Sequence, residues 1–209
     1  MLLAKSRGAE VRLRRNSLLW TAYLAVKRLM DVVLASISLI VLSPLLVMVA
    51  VAVWVDLGRP ILFLQDRVGK NGKPFRILKF RTMHKWAPAY SLKVARGDPN
   101  ITRFGRFLRQ SSIDELPQLV NVIMGEMSLV GPRPEQPCIV EQFYQPWQYR
   151  RFSVTPGLTG WWQVNGRSDK PMHENTELDI YYVEKQSLWL DLRILATTVG
   201  VVLHKKGAR

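Results

Sequence analysis

The chain has 209 residues with 30 Lys and Arg against 16 Asp and Glu, a formal net charge of +14. That length buries one good core, a single domain with an appendage, and that charge calls for an anionic partner: nucleic acid, a lipid head group or a phosphorylated substrate. Cys138 is the only cysteine and His84, His173 and His204 are scattered, which excludes an intrachain disulfide and a Cys/His zinc site and fits a reducing, cytoplasmic setting. Any metal is then a hard cation on carboxylate oxygen, Mg²⁺ or Mn²⁺ before zinc.

Residues 1–28 carry Lys5, Arg7, Arg12, Arg14, Arg15, Lys27 and Arg28 against Glu10 alone. The apolar run that follows is too long for a signal peptide and lacks a small-residue cleavage site, so a retained basic arm on the cytoplasmic face is expected. Val32 to Val55 holds no charge over twenty-four positions, enough for a helix of about 36 Å against a hydrocarbon core of roughly 30 Å. A single-pass anchor and a re-entrant helix both satisfy that length. Ser43-Pro44 lies mid-run, where proline removes a backbone hydrogen bond and Ser43 can bond to the freed carbonyl. Both flanks are basic, in conflict with the positive-inside tendency for a spanning helix, and this tips the reading toward re-entry. Lys27, Arg28 and Arg59 would then lie at the phospholipid head groups.

Ile61–Leu64 and Phe75–Arg81 read as strands joined through Gly69-Lys-Asn-Gly-Lys73, a hairpin signal. Ile77, Lys79 and Arg81 alternate on one face, which either presents cations together or is a solvated strand face. Between Arg59 and Arg109 thirteen basic residues face only Asp66 and Asp98, a positive funnel ahead of the next segment. Trp86 to Asn100 reads as a mobile loop. Ile101–Arg109 returns to helical spacing, with Arg103, Arg106 and Arg109 on one side and Arg109 placed to reach the carboxylates that follow.

Arg109 to Pro134 organises the chain. Leu116, Leu119, Val120 and Ile123 recur at i, i+3, i+4 and i+7, which predicts an amphipathic helix that Gly125 stops. Ser112 and Glu115 fit a capping box, whereas Pro117 suits a helix beginning nearer Asp114. In either register Asp114 and Glu115 sit at a helix start, where the dipole favours an ionised carboxylate. Such residues are ordinary caps in isolation. Here Arg133, fixed between Pro132 and Pro134, adds a fork held ready for phosphate.

Past Pro134, Phe143, Tyr144, Trp147, Tyr149, Phe152, Trp161 and Trp162 suit either the bilayer surface or an aromatic core. Pro156–Gly160 reads as a tight turn, and Gln163-Val-Asn-Gly-Arg167 offers an arginine beside a glycine turn. The tail from Glu174 is helical in pattern, and Leu188–Leu203 suits a surface-lying or docked helix.

Lys27-Arg28-Leu-Met-Asp31, Ser43-Pro44, Lys79-Phe-Arg-Thr-Met83, Asp114-Glu-Leu-Pro-Gln118, Ser128-Leu-Val-Gly-Pro-Arg-Pro134, Pro156-Gly-Leu-Thr-Gly160 and Gln163-Val-Asn-Gly-Arg167 together resemble the bacterial sugar transferases, the monotopic polyprenyl-phosphate phosphoglycosyl transferases. The likeness covers about residues 27–203 and looks like the small form, without a multi-span N-terminal region; Trp161-Trp162 is bulkier than the family pattern. It implies an α+β, mostly helical fold: a basic arm (1–26), a re-entrant helix broken at Ser43-Pro44 (27–58), and a catalytic domain (59–209) with a small hairpin and amphipathic interfacial helices around a cytoplasmic-face active site. It also implies that Asp114 attacks the β-phosphate of a UDP-sugar, releases UMP and passes the phosphosugar to undecaprenyl phosphate. Glu115 corresponds to the Mg²⁺-binding partner, with Asp114 beside it. Lys79, Arg109, Arg133, Arg167 and Asp191 correspond to positions around the phosphates. The partners implied are a UDP-sugar, undecaprenyl phosphate and the phospholipid bilayer of the bacterial inner membrane, not nucleic acid. Rival classes are a membrane-tethered basic binding module without chemistry and a metal-dependent phosphatase. Sugar choice and oligomeric state are written in no motif here.

Overall fold

The computed structural model describes residues 18–87, 97–165 and 172–203. Helix α1 (Leu18–Leu57) is followed by strands β1 (Leu62–Val68) and β2 (Pro74–Phe80), α2 (Arg103–Ser111), a 3₁₀ turn at Ile113–Glu115, and α3 (Gln118–Met124). Then come β3 (Ser128–Val130), α4 (Pro137–Phe143), a 3₁₀ segment at Pro146–Ser153, β4 (Gly157–Thr159), α5 (Trp161–Asn165), α6 (Thr176–Lys185) and α7 (Leu188–Leu203). Helix outweighs strand, as the α+β expectation requires.

The long helix is described from Leu18, so residues 18–26 are helical, and the backbone stays helical through Pro44. Local chemistry explains the continuity. Proline cannot donate to the carbonyl four residues back, that of Ile40, and the Ser43 hydroxyl donates to that oxygen at 2.8 Å. At its far end Gly58 takes a left-handed φ of 71° and its N–H closes on Trp54 O at 2.8 Å. Arg81 does not join Lys79 on a shared cationic face. Its guanidinium donates to the carbonyls of Leu57 (2.5 Å), Gly58 (2.6 Å) and Arg59 (3.3 Å), a cation at a helix C-terminus.

The two halves of α1 pack on the same body. Ala35 and Leu39 join Ile77, Leu119, Val122, Met127, Leu129, Val130, Tyr182, Leu190 and Ile194 in the main core. Val49 and Val53, with Leu45 and Leu46, pack against Phe80, Leu108 and Phe104. Between these regions Ile40, Val41, Val47 and Met48 are exposed.

The hairpin forms as predicted. β1 and β2 are antiparallel from Leu62↔Phe80 to Val68↔Pro74. Asn71 and Gly72 both have positive φ, 57° and 79°, and Lys73 N closes on Lys70 O at 3.2 Å, the tight turn that Asn-Gly favours. A second sheet was not expected. β3 and β4 pair in parallel, Ser128↔Gly157 and Val130↔Thr159, so Gly157–Thr159 is strand where a turn was anticipated. Glycine permits it: a Cβ on Gly157 would stand 2.0 Å from Gly131 N, and one on Gly160 2.1 Å from Gly131 O. The aromatic segment resolves toward core packing, with Tyr144, Phe152 and Trp162 buried, though Phe143 and Trp147 stay exposed.

Candidate active site

Asp114 is on the 3₁₀ turn that links α2 to α3, and Pro117 caps α3. The Ser112–Glu115 capping box does not form. Ser112 has φ 58° and closes the end of α2 instead, which frees the Glu115 side chain for the site. The buried stripe of α3 is Gln118, Leu119, Asn121 and Val122, whereas Val120 is exposed. Gly125 stops it, with φ 86°. Asn121 acts as a strand partner for β2: its side chain accepts from Leu78 N at 3.1 Å and donates to Arg76 O at 2.8 Å. That pins the strand on which Lys79 stands.

Glu115 is fully committed. Lys79 Nζ donates to its Oε1 at 2.8 Å, and the Arg133 fork spans both oxygens, reaching Oε2 at 3.2 Å and making a shorter bond to Oε1. Burial pushes the Glu115 carboxyl up, but Arg133 and Lys79 together hold it well below the usual carboxylate range. Burial likewise lowers Lys79, and the Glu115 charge opposes it. Asp114 is the contrast. It is 7% exposed, and its carboxylate has no hydrogen bond or ion pair among the described residues. Burial first, then the adjacent Glu115 charge, pushes it up to about 6 against the pull of Lys79, Arg109 and Arg133. Two adjacent carboxylates thus sit in different environments: Glu115 is an ionised anchor for cations, and Asp114 is buried with no partner among the described residues.

Arg133 owes its position to more than its flanking prolines. Arg151 donates to Arg133 O at 2.6 Å, and Arg67 donates to Pro134 O at 3.2 Å. Arg151 is in turn paired with the buried Asp179 at 2.5 Å and bonded to Tyr144. Burial raises Asp179 to about 6. Two guanidinium groups therefore grip successive carbonyls of the Arg133-Pro134 backbone. Their sequence signal is faint, since neither falls in a motif and the carbonyls they bind are distant in sequence.

Lys79, Arg109, Arg133, Asp114 and Glu115 are brought together as expected. Arg167 lies outside the described residues. Asp191 is elsewhere: fully buried, it accepts from Lys27 Nζ (3.1 Å), Tyr23 OH (3.0 Å) and Tyr182 OH (2.6 Å). These three bonds tie α1 to α6 and α7. Lys27 and Arg28, read from the sequence as head-group contacts, bond to groups of the protein. Lys27 also donates to Val130 O at 3.0 Å, and Arg28 binds the last carbonyls of α3, Val122 and Ile123, at 2.6 and 2.7 Å. Asp31 accepts from Leu129 N at 3.0 Å.

Among the described residues no three His, Cys, Asp or Glu side chains cluster to hold a metal unaided. With Glu115 engaged, Asp114 offers the one uncommitted carboxylate of the pair. That donor set fits a Mg²⁺-type cation that keeps waters and takes its remaining oxygens from a diphosphate.

Comparison with known proteins places this geometry. The profile of the bacterial sugar transferase family matches residues 22–205. The chain is 41% identical over 193 residues to the UDP-N-acetylgalactosamine-undecaprenyl-phosphate N-acetylgalactosaminephosphotransferase of Aeromonas hydrophila, covering 90% of this chain and 46% of the relative. It is 43% identical over 191 residues to the UDP-glucose:undecaprenyl-phosphate glucose-1-phosphate transferase of Caulobacter vibrioides, covering 87% and 71%. To the enzyme of that same name from Escherichia coli it is 40% identical over 182 residues, covering 83% and 39%. The chain thus spans less than half the length of the first and third of these relatives. With the profile spanning all but the ends, the chain belongs to the bacterial sugar transferase family.

Proposed function

We propose that the protein transfers a sugar 1-phosphate from a UDP-sugar to polyprenyl phosphate, as the names of its relatives describe for undecaprenyl phosphate, and that Asp114 carries the sugar phosphate covalently between the two halves. The observation behind the covalent step is the unpaired, buried Asp114 carboxylate beside a Glu115 already neutralised by Lys79 and Arg133. In the first half an Asp114 carboxylate oxygen attacks the β-phosphorus, the bond from that phosphorus to the bridging oxygen breaks, and UMP leaves with the electron pair. In the second half a phosphate oxygen of the lipid attacks the same phosphorus, the phosphorus–Asp114 bond breaks, and the carboxylate is restored. Lys79, Arg109 and Arg133 stabilise charge on the phosphoryl oxygens, the main task in such transfers. A Mg²⁺ held by Asp114 with Glu115 alongside would offset diphosphate charge.

The same reading has α1 enter the bilayer, bend at Ser43-Pro44, where proline removes a backbone hydrogen bond, and return to the cytoplasmic face. Asp31 and Val53 are twenty-two residues apart, about 33 Å along a straight helix, comparable to the hydrocarbon thickness. Yet Asp31 bonds Leu129 and Val53 packs on Phe80 and Leu108, all parts of one polar body. A spanning helix would carry Val53 away from that body.

The direct test incubates the full chain with UDP-glucose or UDP-N-acetylgalactosamine, Mg²⁺ and undecaprenyl phosphate and follows UMP. Release by the wild type with a loss of at least about a thousandfold in D114N is expected for a missing nucleophile. Wild-type turnover in D114N removes the covalent step, and release of free phosphate in place of UMP identifies a phosphatase.

A further inference from the structure

Of the cations around Asp114, Lys79 and the Arg133 fork are occupied by Glu115. Arg109 differs. Its Nε donates to Thr82 Oγ1 at 2.8 Å, and its two terminal nitrogens have no hydrogen-bond or ion-pair partner among the described residues. Thr82 follows β2 and is buried. The backbone builds this contact. Gly105 of α2 lies directly on Thr82, where a Cβ would stand 2.2 Å from Thr82 O, and Thr102 Oγ1 fixes the helix start by accepting from Gly105 N at 2.8 Å. Arg109 is four residues beyond Gly105 and so on the same helix face. The close approach that glycine allows at the Thr82 carbonyl therefore brings Arg109 to the Thr82 hydroxyl.

We propose that Thr82 is a positioning residue: it holds Arg109 by Nε and leaves the paired terminal nitrogens as the first docking point for the diphosphate of the nucleotide sugar. A guanidinium tethered at Nε keeps its flat, two-pronged edge for bidentate phosphate bonding, and fixing it beforehand lowers the ordering cost of binding. This inference rests on the phosphate-transfer reading above.

A double-mutant cycle tests it by UMP release from the full chain with whichever of UDP-glucose and UDP-N-acetylgalactosamine it turns over. T82V is near-isosteric and lacks the acceptor. It should raise KM for the UDP-sugar about tenfold with kcat changed less than about threefold, while T82S, which keeps the hydroxyl, stays within about twofold of wild type. R109A should raise KM at least as much, and T82V added to R109A should change it no further. Wild-type KM in T82V, or the same increment in both backgrounds, overturns the role of Thr82. An R109A protein with unchanged KM and kcat overturns the docking assignment, whereas no UMP from the wild type with either sugar nucleotide sinks the phosphate-transfer reading itself. Should T82V not fold, T82A against T82S makes the same comparison.

Discussion

Asp114 and Glu115 are neighbours in sequence and opposites in chemistry, and the difference comes from which one the cations reach. Glu115 is drawn well down by Arg133 and Lys79 against burial, so it stays ionised across the working range. Asp114 is buried and pushed up to about 6. On the proposed mechanism only its carboxylate form attacks, so the UMP-release rate is expected to fall about tenfold for each pH unit below 6 and to level above about 7. A profile flat from pH 5 to 8 would contradict that assignment. The same shift acts on stability with the opposite sense. The folded chain holds this proton more tightly than the unfolded chain, whose carboxyl has the ordinary value of 3.8, so stability from this group is full below about 4 and is lost as pH rises to about 6. The acidic pair, Arg109 and Arg133 were legible from residue types and spacing, and Lys79 from the family resemblance. The capping box was not, because its Ser-x-x-Glu pattern is also satisfied by a Glu that turns away to Lys79 and Arg133. Arg67, Arg151 and Thr82 escaped notice because what they do depends on carbonyls and side chains distant in sequence.

At the scale of elements, α1 is fixed by polar side chains on a helix otherwise long and apolar enough to cross a membrane. Asp191 receives Lys27, Tyr23 and Tyr182 in a fully buried cluster. Breaking a buried pair by removing one partner leaves an uncompensated charge and costs roughly 3–5 kcal/mol. D191N should therefore lower the thermal midpoint in detergent by roughly 10 °C, while a double K27M/D191L replacement regains most of it. An unchanged midpoint in D191N would show that Asp191 does not anchor the helix. Hydrophobic run length made α1 readable, and Asn-Gly made the β1–β2 hairpin readable. The β3–β4 pair was hidden, since three-residue strands show no alternation and their pairing depends on glycines at Gly131, Gly157 and Gly160 that locally look like turn residues. Proline in mid-run suggested a broken helix; the backbone stays helical through Pro44, with the Ser43 hydroxyl on Ile40 O.

On the scale of the whole molecule, one polar body gathers both halves of α1, leaving the apolar residues around Ile40 to Met48 exposed. Those residues are where the bilayer would be, and the body would stay on a single face. With the lone Cys138 replaced by serine, single cysteines at Leu18 and Arg76, both exposed, should be closed to an impermeant thiol reagent added outside spheroplasts and open to it in inverted vesicles. Labelling of just one of the two from outside would make α1 a spanning helix. Family membership was legible because the motifs fall in order along the chain.

The covalent step is tested most directly by intact-protein mass spectrometry of the full chain incubated with a UDP-sugar and Mg²⁺ in the absence of lipid acceptor. A mass increase equal to one sugar phosphate, located on Asp114 by peptide fragmentation, absent from D114N and discharged when undecaprenyl phosphate is added, is the expected result. An unmodified Asp114 under conditions that give brisk turnover once acceptor is supplied would contradict it.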